Sequence, residues 1–270
     1  MDSMIARAQA SSRQQNSNSG VIERAAGVTV SLDHLFRAQF GEDRIVWRVF
    51  RGRTRGYFVE VGAYDGMTLS NTYFLEQMGW HGLLIEPIAQ LCERAAQSRP
   101  RSRVVHGACG KRGSCGTTKF TITQNVPVLS FLHADQEHVD RCLREGATLI
   151  EVEVPLITLD DALLNERRNP PPFGGAWEAK KGWCIDLVSI DTEGCELEVL
   201  DGFNLERFRP RILVIENDRP AGAGIEPYLA QRGYRKFHRQ QINDFYVRAD
   251  DPCSDLTVTG LGEAVTQGLP

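Results

Sequence analysis

Acidic side chains at the ends of apolar runs are the chemically loaded positions of this 270-residue chain. Tyr57-Phe58-Val59-Glu60-Val61 carries an acid one residue before its end and breaks into Gly62-Ala63-Tyr64-Asp65-Gly66. Gly82-Leu83-Leu84-Ile85 runs into Glu86-Pro87. Cys184 to Ile190 is followed by Asp191, Glu193 and Glu196, and Arg211 to Ile215 by Glu216, Asn217 and Asp218. If these runs are parallel strands of one sheet, the acids meet along its carboxyl edge, where α/β sheets bind their ligands. Such a rim can attract a cation, accept hydrogen bonds from a vicinal diol, take a proton from a hydroxyl, or hold a hard metal ion. Asp191 and Glu193 are the candidate catalytic acids. His133, with His138 behind it, is the candidate base from an irregular stretch at 125–145.

The spacing narrows the ligand. S-adenosylmethionine presents an ammonium, a carboxylate, a ribose diol, an adenine and a sulfonium. Glu60 is placed to attract the ammonium, and Gly62 and Gly66 admit close backbone approach. The turn residues Ala63 and Tyr64 join this set. N–H groups near Ser70-Asn71-Thr72 face the carboxylate, with Asn71 the named contact. Glu86, followed by Pro87, suits the diol, and Gly107-Ala108-Cys109 flanks the adenine, with Ala108 in contact. A dinucleotide site would want Gly-x-Gly-x-x-Gly. Here position 64 is Tyr and position 60 an acid that repels a pyrophosphate. An NAD-dependent oxidoreductase and a catalytically silent binding module stay as alternatives.

Positioning these residues takes strands at 57–61, 82–86, 103–106, 184–190 and 211–215. They alternate with helices at about 71–78, from Pro87 onward, 195–201 and 225–232. Strands at 235–239 and 245–248 close the chain through a turn at 242–244. Lys119–Thr123 and Ile150–Ile157 alternate like exposed strands. A helix is expected over 31–50. The alternation implies a doubly wound, mostly parallel α/β sheet whose last strand is antiparallel. Residues 1–27 read as a mobile tail, 28–250 as one domain and 251–270 as a second tail. Residues 165–182, with Pro170-Pro171-Pro172, Phe173 and Trp177, read as a loop insertion able to cover the acceptor.

A net charge of −4 leaves no basic footprint for nucleic acid. No apolar stretch is long enough to span a bilayer, and no secretory pattern opens the chain, so a cytoplasmic location is expected. Seven scattered cysteines do not outline a disulfide framework.

Gly56–Gly66, Ser70–Glu76, Gly79–Pro87, Thr158-Leu159-Asp160, Ile190–Gly202 and Ile215-Glu216 together resemble the FkbM family of S-adenosylmethionine-dependent methyltransferases. The resemblance covers roughly residues 31–250. It implies a seven-stranded Rossmann-like class I methyltransferase sheet, S-adenosylmethionine as donor and a hydroxyl acceptor on a sugar, natural product or glycan. It carries cofactor contacts onto Glu60, Gly62, Gly66, Asn71, Glu86 and Asp191. Asp191 with Glu216-Asn217 is also similar to the metal-binding acid and Asp-Asn pair of catechol O-methyltransferases. That likeness implies Mg²⁺ or another divalent cation at Asp191, Glu216 and Asn217.

Overall fold

Seven of the apolar runs pair edge to edge into one sheet: β1 Tyr57–Val61, β2 His81–Glu86, β3 Ser102–His106, β4 Leu187–Ile190, β5 Ile212–Glu216, β6 Tyr234–Gln240 and β7 Asn243–Arg248. The computed structural model describes residues 22–25, 28–134, 136–178, 182–218 and 224–252. The strand order is β6-β7-β5-β4-β1-β2-β3. The first five strands are mutually parallel, and β7 runs antiparallel between β5 and β6. This is the doubly wound, mostly parallel Rossmann-like sheet with an antiparallel last strand. The order reverses direction between β1 and β4, which is where such sheets open a crevice.

β1, β4 and β5 are buried at every position. Alternate residues feed two cores. Tyr57, Val59 and Val61 pack with Leu83, Ile85 and Val188 on one face. Phe58 packs with Leu84, Phe74 and Trp80 on the other. Glu60 shares the parity of Phe58, so it turns toward that second face rather than out along the rim. The covering helices are α1 Glu42–Val49, α2 Tyr73–Gln77, α3 Ala89–Ser98, α4 Gln136–Arg144, α5 Leu159–Arg168, α6 Glu196–Asp201, α7 Leu205–Phe208 and α8 Ile225–Ala230.

Three expectations need correction. The helix over 31–50 is only the 3-10 turn Asp33–Leu35 and α1. Gly41 sits at φ +87° between them, and residues 37–40 are tied to the first turn of α1 through Asp43 and Glu42. The helix after β2 starts at Ala89, two residues past Pro87. The insertion at 165–182 is no lid. Tyr57, the first residue of β1, donates its hydroxyl proton to Glu166 at 2.6 Å, and Phe173 packs its ring 6.1 Å from His81, the first residue of β2. Trp177 lies edge-on to Trp183 at 5.3 Å, and Trp183 lies 4.6 Å from Phe208. These contacts pack the described part of the insertion against the amino ends of the strands, opposite the acid-bearing rim, and Phe173 and Trp177 with it.

A different segment covers the rim. Between β3 and β4 the strands Ala108–Cys109, Thr148–Ile157 and Thr117–Gln124 form a small sheet in that order. Residues 126–147, including α4, carry their own apolar cluster of Val126, Leu129, Phe131, Cys142 and Ala147. Ile22–Ala25 pairs antiparallel with Val28–Ser31; the rest of the expected tail 1–27 lies outside the described residues. Of the expected C-terminal tail, Asp251 and Pro252 are described, and Asp251 holds Arg211 at 2.8 Å. No disulfide joins the six described cysteines. Among the described residues no helix is long and apolar enough to cross a membrane.

Candidate active site

A cleft of about 1200 Å³, counting its open mouth, runs along the carboxyl ends of β2, β1, β4 and β5. Its floor is Gly62, Glu86, Asp191 and Glu216 with their neighbouring backbone, and its roof comes from Val128, Leu129, Leu132 and Arg141 of the covering segment.

Glu86 anchors one end. Its side chain is 4% exposed, and each carboxyl oxygen accepts one backbone N–H at 2.8 Å, Tyr64 on Oε2 and Ile88 on Oε1. Two fixed N–H donors orient the group and leave lone pairs on both oxygens toward the cleft. Burial pushes this carboxyl up to about 8, against the pull of those two N–H groups. Pro87 and Ala108 line the wall beside it.

Asp191, Glu193 and Glu216 crowd the other end, with one carboxyl oxygen of each within 4.8 Å of the others. Asp191 is exposed at the cleft mouth, yet the protein crowded around it displaces part of its hydration and pushes it up to about 6, although its hydrogen bond with Glu216 works the other way. Burial, then the neighbouring acids, raise Glu193 and Glu216 well above the usual carboxylate range. Each of these acids binds a proton more tightly than a solvated carboxyl does. Glu196 shapes the loop that presents them, accepting from Thr192 N–H and Oγ at 2.9 Å and from Gly194 N–H at 3.1 Å. Glu193 is pinned from the roof by His138 Nδ1 at 3.6 Å and Arg141 Nη1 at 3.8 Å.

Three non-glycine residues in the cleft wall sit in the left-handed region: Tyr64 at φ 51°, Leu69 at 59° and Glu193 at 54°. Strain of this kind, on the order of 1–3 kcal/mol each, gathers where geometry serves a ligand.

The structure separates the predicted residues. Gly62, Tyr64, Glu86, Pro87, Ala108, Asp191, Glu193 and Glu216 line the cleft. Glu60, Ala63, Gly66, Asn71, Asn217 and His133 are not among its lining residues. Glu60 accepts from Ser70 Oγ at 2.9 Å, Asn71 N–H at 2.9 Å and Thr72 Oγ1 at 2.7 Å, and meets Arg99 at 3.5 Å. That network turns it away from the cleft. Asn71 points its amide at Ser189 Oγ, 3.0 Å away. Ala63 is core, and the Gly66 carbonyl accepts from Arg99 at 2.9 Å. The Asn217 Nδ2 donates to Asp244 at 2.8 Å while its Oδ1 makes no hydrogen bond, and Glu193 joins Asp191 and Glu216 in a close acidic trio. His133 is exposed, and the imidazole that reaches the acids is His138.

Sequence reasoning missed Arg141 and Gln39 as cleft residues. His138, Arg141 and Cys142 recur at helical i, i+3, i+4 spacing, a signal that a helix places them on one face. Gln39 carries no comparable signal, because it belongs to an irregular turn.

Over 140 residues the chain is 31% identical to the methyltransferase sdnD of Sordaria araneosa, an overlap of 47% of this chain and 52% of that protein. The chain thus spans about half the length of that curated relative. An O-methyltransferase of Bacillus cereus in complex with SAH aligns over 92% of this chain and 90% of its own, at 11% identity and a TM-score of 0.38. The O-methyltransferase TomG of Streptomyces achromogenes, in complex with SAM, aligns over 91% and 88% at 12% identity and a TM-score of 0.38. Residues 60–236, which carry Glu86, Asp191, Glu193 and Glu216, match the methyltransferase FkbM domain, and the chain belongs to that family.

Proposed function

We propose that this protein is an S-adenosylmethionine-dependent O-methyltransferase acting on a hydroxyl of a small-molecule or glycan-type acceptor. The observation that carries the reading is the layout of the cleft. Glu86 ends β2 and Asp191 follows β4, with β1 between them. Two strand spacings separate them by roughly 10 Å. A fixed carboxylate at one end suits a ribose diol, and an acidic group at the other suits an ammonium. NAD would bring a pyrophosphate into a cleft whose charged side chains, Arg141 apart, are acids.

The donor supplies an already activated methyl group. The chain's own residues have three tasks. Glu86 accepts from the diol while Pro87 and Ala108 wall the base. Asp191 offers negative charge to the amino group. Glu193, held by His138 and Arg141, accepts the acceptor's hydroxyl proton; its raised proton affinity makes its ionised form a stronger base. The roof residues Leu129 and Leu132 exclude water, so positioning supplies much of the rate.

Calorimetry with S-adenosylhomocysteine and NAD tests the reading. S-adenosylhomocysteine should bind and NAD should not, and the reverse result would sink the proposal. Glu86→Ala should weaken S-adenosylhomocysteine by about 1–3 kcal/mol. The sign of the pH dependence also follows. Diol hydroxyls donate to ionised Glu86, whose carboxyl stands at about 8 before binding. Affinity should therefore climb as pH rises toward that value and level above it, and Glu86→Gln should flatten the climb. A silent binding module would give the same binding data yet transfer no methyl group to any alcohol in a panel.

A divalent cation is the second reading of the acid cluster, favoured by three carboxyl oxygens within 4.8 Å. Asp191, Glu193 and Glu216 fit a hard cation in charge and type, and would orient and acidify an acceptor hydroxyl through it. Asn217 engages Asp244 through Nδ2, and its buried Oδ1, which makes no hydrogen bond, is the atom that would join the set. If the cluster works by proton transfer alone, turnover survives exhaustive chelation. A cation there makes turnover chelator-sensitive and restorable with Mg²⁺.

A further inference from the structure

The donor's α-carboxylate lacks the receivers that the sequence offered it. The N–H of Asn71 donates to Glu60 at 2.9 Å, and those of Thr72 and Tyr73 donate to Ser70 Oγ at 3.2 and 3.0 Å. The Thr68 hydroxyl donates to Asp65 at 2.7 Å. Asp191, Glu193 and Glu216 would repel a carboxylate, and Arg141 is drawn to Glu193. One neutral side-chain donor remains at this end of the wall. Gln39 is half-buried, lines the cleft beside Thr68 and Leu69, and makes no side-chain hydrogen bond among the described residues.

The backbone around Gln39 is held in place. Ala38 bridges Leu69. Asp43 accepts the N–H of Arg37 at 2.7 Å and of Ala38 at 3.0 Å. Glu42 accepts the N–H of Phe40 at 2.9 Å, and the Phe40 carbonyl accepts from Gln240 at 2.8 Å. Asn243 donates to the other oxygen of Glu42 at 2.8 Å. Glu42 and Asp43 are both 0% exposed. Two wholly buried acids and a hairpin from the far end of the domain thus fix the residues flanking Gln39, which itself lines the cleft without a side-chain hydrogen bond to any described residue. Gln39 also lies outside the span 60–236 that matches the family.

We propose that Gln39 is a donor-binding residue whose Nε2–H takes the α-carboxylate of the cofactor's amino-acid end. The assignment rests on the donor reading above. Calorimetry on the full chain with two ligands tests it: S-adenosylhomocysteine, and 5′-methylthioadenosine, which keeps the adenosine and thioether but has no amino-acid end. In Gln39→Leu the affinity for S-adenosylhomocysteine should fall about tenfold, and further in Gln39→Glu, with 5′-methylthioadenosine unchanged in both. Unchanged 5′-methylthioadenosine binding also reports an intact fold. Equal losses for both ligands, or no loss for either, would overturn the assignment. So would selective loss in Arg141→Met with none in Gln39→Leu. Wild-type protein that fails to bind S-adenosylhomocysteine would overturn the donor reading itself, a result distinct from these.

Discussion

Arg99→Met should destabilise this protein by about 3–5 kcal/mol, the range for removing one partner of a buried ion pair. The Arg99 side chain is 0% exposed and spans two acids, Glu76 at 2.9 Å through Nε and Glu60 at 3.5 Å through Nη1. It also donates to the Gly66 carbonyl and to Thr72 Oγ1, both at 2.9 Å. Glu60 and Glu76 are 4% and 2% exposed, so neither can turn to water when the guanidinium goes. Methionine fills part of the volume and none of the charge. Lysine would keep the charge but lose the planar fork that reaches both acids. The check is urea unfolding at neutral pH. Glu76→Gln added to Arg99→Met should recover part of the loss. A single variant within about 1 kcal/mol of wild type at neutral pH would show that water or rearrangement replaces the arginine.

Gly62→Ala should lower stability by roughly 3 kcal/mol or more and remove S-adenosylhomocysteine binding with it. Gly62 stands at φ +81°, and a Cβ there would lie 1.8 Å from the carbonyl oxygen of Asp191. The tip of β1 is stitched to both neighbours at this point: Asp191 N–H, just past β4, donates to the Val61 carbonyl at 3.1 Å, and Gly62 N–H donates to the Ile85 carbonyl of β2 at 3.0 Å. A methyl group would force the loop bearing Asp191 and Glu193 off the tip of β1. For a chain this size that is about 6–12 °C in melting temperature. Gly113→Ala is the control. Gly113 has φ +84°, yet its Cβ would meet nothing within 4 Å, so only the backbone penalty applies. Equal effects at the two positions would refute the steric account.

The same contact explains what the sequence could and could not disclose. The strands were legible because each is a short apolar run bounded by glycine, proline or an acid, and their parallel order follows from the helices between them. Glu60 and Glu86 look alike in sequence, each an acid at the end of an apolar run. What divides them is their place in the strand, since both share the parity of the Phe58 and Leu84 face. Glu60 falls one residue before the end of β1 and faces the same side as Phe58, where Arg99, 39 residues on, meets it. Glu86 is the last residue of its strand and faces the cleft. Arg99 sits in an Arg-Pro-Arg stretch that reads as surface. Gly62 was read as room for a ligand; it lines the cleft and also makes room for the carbonyl of Asp191. The proline-rich insertion was misplaced for a related reason. Composition marks a loop, but only Tyr57, Glu166 and His81 in three dimensions decide which end of the sheet it joins.

The ties between Phe40 and Gln240 and between Glu42 and Asn243 join residues 200 and 201 positions apart. Contacts this distant in the chain form only after a large loop has been closed. During translation the loop holding Gln39 has only its ties to Glu42, Asp43 and Leu69 until the hairpin at 234–248 has left the ribosome. The nascent polypeptide therefore carries a half-built pocket until that hairpin folds into place.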